Sequence, residues 1–434
     1  MNTYGLLPMT SRAALGHTAR TPIQGGVPRL TTRWPQVRQG RELLSSLCAY
    51  MPTMPMTTVS AFLRLLAWRL LASACVASGL GVASAAQADI LIGQTTSVTG
   101  PVAASVGETL VGVRAYLDHV NAQGGVNGEK IQLITLDDNF KPPRAAENAK
   151  KLIEQDKVLA LFMSRATPHT EAILPLLAQH KLALIAPSTG AMVFHTPVNP
   201  YVFNVRSSYQ AEAERAIRHL HDITLARIAV VHVDDSFGAD CLAGAMKGFT
   251  AAGKQPVVVI KADREKPDYP SIVKTLVDKN AQAVLWIGSS VAVSGGVKAL
   301  RQAGSAAQVL TVSNNASAGF IQQLGEHSRG VVVTQVFPSE RALGVPINRE
   351  AVTLLKGKAE LSPQVMEGFA SAKVLVEALR RAGPNPTRAK VIDALNGIHH
   401  LDLGGLELGF SPTDHTGLNY VELSIIGRDG RFQR

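Results

Sequence analysis

DILIGQTTSVTGPVAASVGETLVGVRAYLDHVNAQGGVNGEKIQLITLDDN, residues 89–139, runs from an apolar strand through a polar loop into a helical pattern and out again to a second strand. The first strand is predicted over Ile90–Gln94 and the helix over Leu110–Ala122. Gly124-Gly125-Val126-Asn127-Gly128 then ends the helix, because glycine tolerates the positive φ that the position after a helix requires. The second strand follows over Lys130–Leu136. Two apolar strands joined by a helix pair in parallel, so this stretch begins an α/β domain whose sheet is covered by helices.

Upstream of Asp89 the chain carries the three parts of a secretory signal: a positive flank, a short apolar stretch and small residues at the cut. Arg64 and Arg69 supply the charge, Leu70–Val82 the apolar part, and Ala86-Gln87-Ala88 a cleavage site before Asp89. The apolar run falls short of the roughly 20 residues that span a bilayer, so residues 56–88 read as a cleaved signal. Residues 1–55, rich in proline and glycine, read as a mis-assigned start or a disordered leader.

Residues 1–88 hold eight arginines, no lysine and a single acid. Of the chain's 43 basic and 33 acidic residues, 35 and 32 follow, and the net charge falls from +10 to +3. The basic character therefore belongs to the leader, and nucleic-acid binding loses its support. Cys241 is the one cysteine after the leader, so the exported chain folds without an internal disulfide and Cys241 reads as a buried structural thiol.

From Asp89 onward, apolar runs alternate with helical patterns. Further strands are predicted at Val158–Phe162, Leu182–Ala186, Arg227–Val233, Pro256–Lys261, Ala283–Ile287, Gln308–Val312 and Gly330–Gln335. Helices lie between them, and the pattern turns mainly helical after Phe337 before a closing strand pair around Tyr420–Ile426. The length suits two lobes rather than one core.

Several segments resemble those of type I periplasmic solute-binding proteins of ABC transporters, the leucine/isoleucine/valine-binding family. They are Ile92–Pro101 (IGQTTSVTGP), Asn121–Gly128 (NAQGGVNG), Leu136–Asn139 (LDDN), Ile185–Ala191 (IAPSTGA), Tyr201–Arg206 (YVFNVR), Ile228–Gly238 (IAVVHVDDSFG) and Phe410–Gly417 (FSPTDHTG). The resemblance implies two flavodoxin-like lobes joined by three crossover strands and closing on a ligand. Mapped here, the first lobe takes residues 89–207 and 337–403, and the second 208–336 and 404–434. It also implies a periplasmic monomer, a small amino acid or organic acid as ligand, an ABC permease as partner, and no cofactor.

Candidate site residues fall where strands give way to helices. A helix start offers free N–H groups and the positive end of a dipole, which hold a carboxylate without a dedicated cation. Thr167, ahead of Pro168, and Ser188, Thr189 and Gly190 are expected to form the primary site; in the resembled family these two loops hold the carboxylate and ammonium of an amino acid. Capping of their own helices is the alternative use of these hydroxyls. Ser97 and Ser105 border the first loop, and Phe237, Ser289 and Asn314 are offered by the second lobe. Phe237 serves either as a ligand cover or as core. Arg165 either holds a second carboxylate or an aromatic acid bidentately or is a solvated or ion-paired surface side chain. The acid that family members present to an ammonium is missing from Thr311–Asn315.

The sequence holds no nucleophile elbow and no phosphate loop. His399-His400 with Asp402 matches no metal spacing, and Asp414-His415 reads as structural. A sensor of the same fold and an exported enzyme are the competing readings; the expected role is capture, not catalysis.

Overall fold

The computed structural model describes residues 89–434, so the expected leader and signal lie outside the described residues. The first lobe opens with β1 (Ile90–Thr96), α1 (Ala103–Ala122), β2 (Ile131–Asp137), α2 (Pro142–Glu154), β3 (Ala160–Phe162), α3 (Thr167–His180), β4 (Leu184–Ile185) and β5 (Val202–Phe203). The second contains α4 (Tyr209–Asp222), β6 (Ile228–Val233), α5 (Ser236–Ala251), β7 (Val258–Ala262), α6 (Tyr269–Asp278), β8 (Ala283–Ile287), α7 (Ser290–Gln302), β9 (Gln308–Thr311), α8 (Ala318–Leu324) and β10 (Val332–Gln335). The chain then returns through α9 (Pro346–Leu355), α10 (Pro363–Ala382), α11 (Arg388–Asn396) and the small pair β11 (Leu401–Asp402) and β12 (Glu407–Leu408), and ends in β13 (Glu422–Ile426) and β14 (Phe432–Gln433).

The first sheet is parallel with the order β2-β1-β3-β4-β5. The second runs β7-β6-β8-β9-β10 in parallel, the same order one lobe later, and adds β13 and β14 antiparallel at its edge. Strands buried on both faces are selected to be apolar, and AVLWI of β8 is so throughout while IAVVHV of β6 departs only at His232. Alternation then divides β6: Ile228 and Val230 enter the core under α4 and α5, Ala229 and Val231 the core under α6 and α7.

Helix α10 is buried along most of its length and crosses α1 closely. Glycine permits the approach. A Cβ on Gly112 would stand 1.9 Å from the Val365 carbonyl oxygen, and one on Gly368 would stand 2.0 Å from that of Thr109.

Two expectations shift. Helix α1 begins at Ala103 rather than Leu110, because Ala103, Ala104, Ser105 and Gly107 carry no apolar stripe by which to announce a first turn. Of residues 404–434, assigned to the second lobe from sequence, β13 and β14 join the second sheet, while 404–418 pack with the first lobe. Leu406, Leu408, Phe410 and Leu418 fill its core, and the Leu418 N–H donates to Val205 O at 3.0 Å. The reason is a compact hairpin whose apolar side chains cover Leu395 and Ile398 at the end of α11.

Candidate functional site

In a sheet of order 2-1-3-4-5 the chain reverses its winding between the first and third strands, leaving a crevice beyond their carboxyl ends. Each lobe has one, after β1 and β3 and after β6 and β8. The two crevices face each other. Between them lies a cavity of about 40 Å³, closed down in this arrangement of the lobes to the room of a few waters. Val102 and the Arg165–Thr167 turn wall it from the first lobe, and Asp235, Gly288 and Ser289 from the second.

Three helix starts converge there. Helix α3 begins at Thr167 after Ala166, whose φ of 71° bends the chain sharply into the helix. Helix α7 is capped by Ser289, which accepts from the Ala292 N–H at 3.2 Å. Helix α5 is capped by Asp235, whose Oδ1 accepts from the Gly238 N–H at 2.9 Å while Oδ2 receives Arg264.

The apolar wall is aromatic. Tyr209 meets Phe237 edge-on at 4.9 Å, and burial pushes the Tyr209 hydroxyl up to about 12. Trp286 and Phe140 complete it. Phe140 comes from the first lobe with a φ of 57° and is held between His169, stacked at 5.0 Å, and the Arg264 guanidinium of the second lobe at 4.3 Å. Burial, with the Arg264 charge adding to it, lowers His169 to about 4.

Arg165 is 4% exposed, which removes the reading as a solvated surface side chain. Its Nη1 donates to Gln364 Oε1 at 2.8 Å and Ser188 Oγ at 3.2 Å, its Nη2 to Ser105 Oγ at 3.1 Å and, across the lobes, to Asn314 O at 3.0 Å. Burial lowers its pKa and the nearby Glu367 opposes that. Other bonds shut the lobes together. Ser290 Oγ donates to Pro101 O at 3.1 Å, and Glu108 accepts the Ala318 and Gly319 N–H groups at 3.1 and 2.8 Å.

Of the residues expected from sequence, Arg165, Thr167, Phe237, Ser289 and Asn314 line the cavity. The others stand behind its wall. Ser97 donates to Asp138 at 2.5 Å, Ser105 supports Arg165, and Thr189 Oγ1 lies 2.8 Å from Thr167 Oγ1. Ser188 Oγ donates to Glu367 at 2.7 Å, and Gly190 lets the chain pass close to the lobe crossing, where its carbonyl accepts the Tyr209 N–H at 2.7 Å. Phe140, Tyr209, Arg264 and Trp286 were not anticipated, and Asp235 only as an acid at a strand end fit to cap a helix. A signal existed for Phe140 and Arg264: each follows the second strand of its lobe, where side chains reach the crevice.

The motifs set aside stay outside this chemistry. His415 is buried, with Nδ1 2.8 Å from Val202 O and its ring stacked on Phe203 at 4.1 Å. Cys241 is buried, and its thiol pKa is pushed up by that burial. Among the described residues no group of His, Cys, Asp and Glu could hold a metal, and no helix is long and apolar enough to cross a membrane.

Two α/β lobes shut over one small cavity define a ligand-binding protein of the hinged, two-lobed class. The chain belongs to the periplasmic binding protein family, whose model matches residues 89–429. It is 26% identical over 338 residues to the Leu/Ile/Val-binding protein homolog 3 of Brucella melitensis, covering 76% of this chain and 89% of that one. A substrate-binding periplasmic protein from Ralstonia solanacearum superposes with a TM-score of 0.73 at 30% identity, covering 79% of this chain and 99% of that one. A possible leucine/isoleucine/valine-binding protein from Rhodopirellula baltica gives 0.76 at 25%, covering 80% and 96%. Its relatives are binding proteins, and this chain is one too rather than an enzyme.

Proposed function

We propose that the chain is an exported, monomeric receptor that captures a small carboxylate-bearing solute with an apolar body and delivers it to an ABC-transporter permease. The observation that carries this is the placement of the cavity at both switch points, with the Thr167 and Ser289 helix starts on one side of the solute and the Tyr209, Phe237 and Trp286 surfaces around its body. A solute touching both lobes is bound fully only when they are closed, so binding shifts the hinge equilibrium and the permease recognises the closed form.

The test is a thermal-shift screen across amino acids, aromatic and aliphatic acids, dicarboxylates and neutral sugars. A solute at 100 times its Kd adds about 2.7 kcal/mol to stability and raises the melting temperature. Stabilisation by sugars alone would overturn the carboxylate assignment. Uptake of the stabilising solute in cells lacking ABC permeases tests delivery: uptake that still depends on this protein there removes the ABC partner.

A further inference from the structure

The cavity wall treats the two signs of charge unequally. For an anion it offers the guanidinium of Arg165 and the starts of α3 and α7, whose first turns carry N–H groups with no helical partner. Among the described residues no carboxylate lies within ion-pair distance of Arg165; Glu367 reaches it only through Ser188 and Gln364. The Arg165 terminal nitrogens are engaged by neutral oxygens, so it contributes charge to the cavity rather than a further hydrogen bond.

For a cation the wall offers little. Both Asp235 oxygens are taken, one by the Gly238 N–H and one by Arg264. Asp263 is an exposed rim residue whose Oδ1 accepts the Glu265 and Lys266 N–H groups at 2.8 and 2.7 Å. Two neutral side-chain oxygens in the wall have no protein partner: Asn314 Oδ1, on a side chain 8% exposed whose Nδ2 donates to Gly288 O at 2.9 Å, and the hydroxyl of buried Tyr209. A buried ammonium has three donors to satisfy and would find neutral acceptors and aromatic faces but no unengaged buried carboxylate.

We infer that the solute is an apolar carboxylic acid carrying no α-ammonium: a monoanion whose carboxylate lies at the helix starts beside Arg165 and whose body fills the aromatic wall. This deepens the reading above and rests on it. Asn314 then tells the free acid from the amino acid by withholding a negative charge.

Titration calorimetry on matched pairs decides it. 3-Phenylpropanoate is set against phenylalanine and 4-methylpentanoate against leucine, each pair differing only in the ammonium. The acid in at least one pair is expected to bind roughly tenfold tighter or more, the penalty of an unsatisfied buried donor. Equal or tighter binding of the amino acid in both pairs overturns the inference and leaves the carboxylate receptor standing. Binding of no acid or amino acid sinks both. Asn314→Asp, nearly isosteric, is expected to shift the ratio toward the amino acid by roughly the same tenfold; an unchanged ratio in a variant that melts normally also counts against it. The paired comparison on the unaltered protein carries the test if that variant fails to fold.

Discussion

The lobes meet at two charged clusters, one behind the cavity and one at its mouth. Behind it, Arg206 pairs with Glu212, and Glu212 also accepts the Ser313 N–H at 2.8 Å, Ser313 Oγ at 3.0 Å and Thr334 Oγ1. Burial works against the Arg206 charge, yet Tyr209, Glu212 and Glu367 around it hold its pKa above the ordinary arginine value. At the mouth, Arg264 pairs with Asp235 and lies over Phe140, with its side chain 24% exposed. The rear cluster is dry and saturated, and the front one is wetted and has a face to spare. Charges of the first kind cannot be unmade cheaply, so they define the arrangement of the lobes; at the front only the contact of Arg264 with Phe140 spans the lobes and can part when they do.

The sharpest way to break this contrast is at the rear. Glu212→Ala leaves the Arg206 guanidinium with Glu367 at 3.9 Å as its remaining charged partner, and removing one member of a buried pair costs about 3–5 kcal/mol. Urea unfolding should register that loss. A change under 1 kcal/mol would mean that water reaches the cluster.

Asp138 and His169 near the mouth, and His195 toward the rear cluster, titrate with opposing signs. Burial raises Asp138 to about 6, opposed by the bonds from Ser97 and the Phe140 N–H, with Asp137 and Arg144 nearby. The folded state thus binds this proton more readily than the unfolded chain, and its contribution to stability is lost as pH rises from about 4 to about 6. His169 and His195, both lowered to about 4 chiefly by burial, act the other way: their contribution is lost as pH falls from 6.5 toward 4. Asp138→Asn removes the term that offsets the histidines. Its stability should therefore fall more steeply on acidification, by on the order of 2–3 kcal/mol across that window. Parallel curves for variant and parent between pH 4 and 7 would deny Asp138 its raised pKa.

The same contrast explains what could be read in advance. Strands such as Ala283–Ile287 announce themselves because a parallel sheet buried on both faces demands unbroken apolar runs. Thr167 and Ser289 are legible because the ends of strands open the crevice. Arg165 drew attention as a charge beside a helix start, but its burial depends on Gln364, 199 positions away, and no local pattern reports that. Glu212 and Glu367 look like ordinary helix-surface acids for the same reason, while Phe140 and Arg264 sit in loops whose meeting depends on how the lobes close.

Ser188 and Thr167 divide along this line although the sequence treats them alike. Ser188 accepts from Arg165 and donates to Glu367, so Ser188→Ala leaves two buried charged groups short of a bond and should cost about 1–3 kcal/mol of stability. Thr167 lines the cavity, and Thr167→Ala should weaken solute binding by roughly 1 kcal/mol with the smaller change in unfolding midpoint. If Ser188→Ala weakens binding more than it destabilises the fold, the Ser188 turn belongs to the cavity after all.

The smallest effect is expected at the front pair. Arg264→Ala removes a cation over the Phe140 ring and a partly exposed ion pair, contributions of about 0.5–1 kcal/mol. Because the ring contact spans the lobes while the ion pair lies within the second, the loss of the former should appear in solute release, two- to fivefold faster by stopped-flow, with little change in association. Phe140→Leu keeps the apolar contact with His169 but has no ring face to offer, so the double variant should release solute little faster than Arg264→Ala alone. Strictly additive effects would show that Arg264 and Phe140 act separately. The mouth would then be held by Ser290 and Glu108, whose bonds across the lobes do not involve the ring.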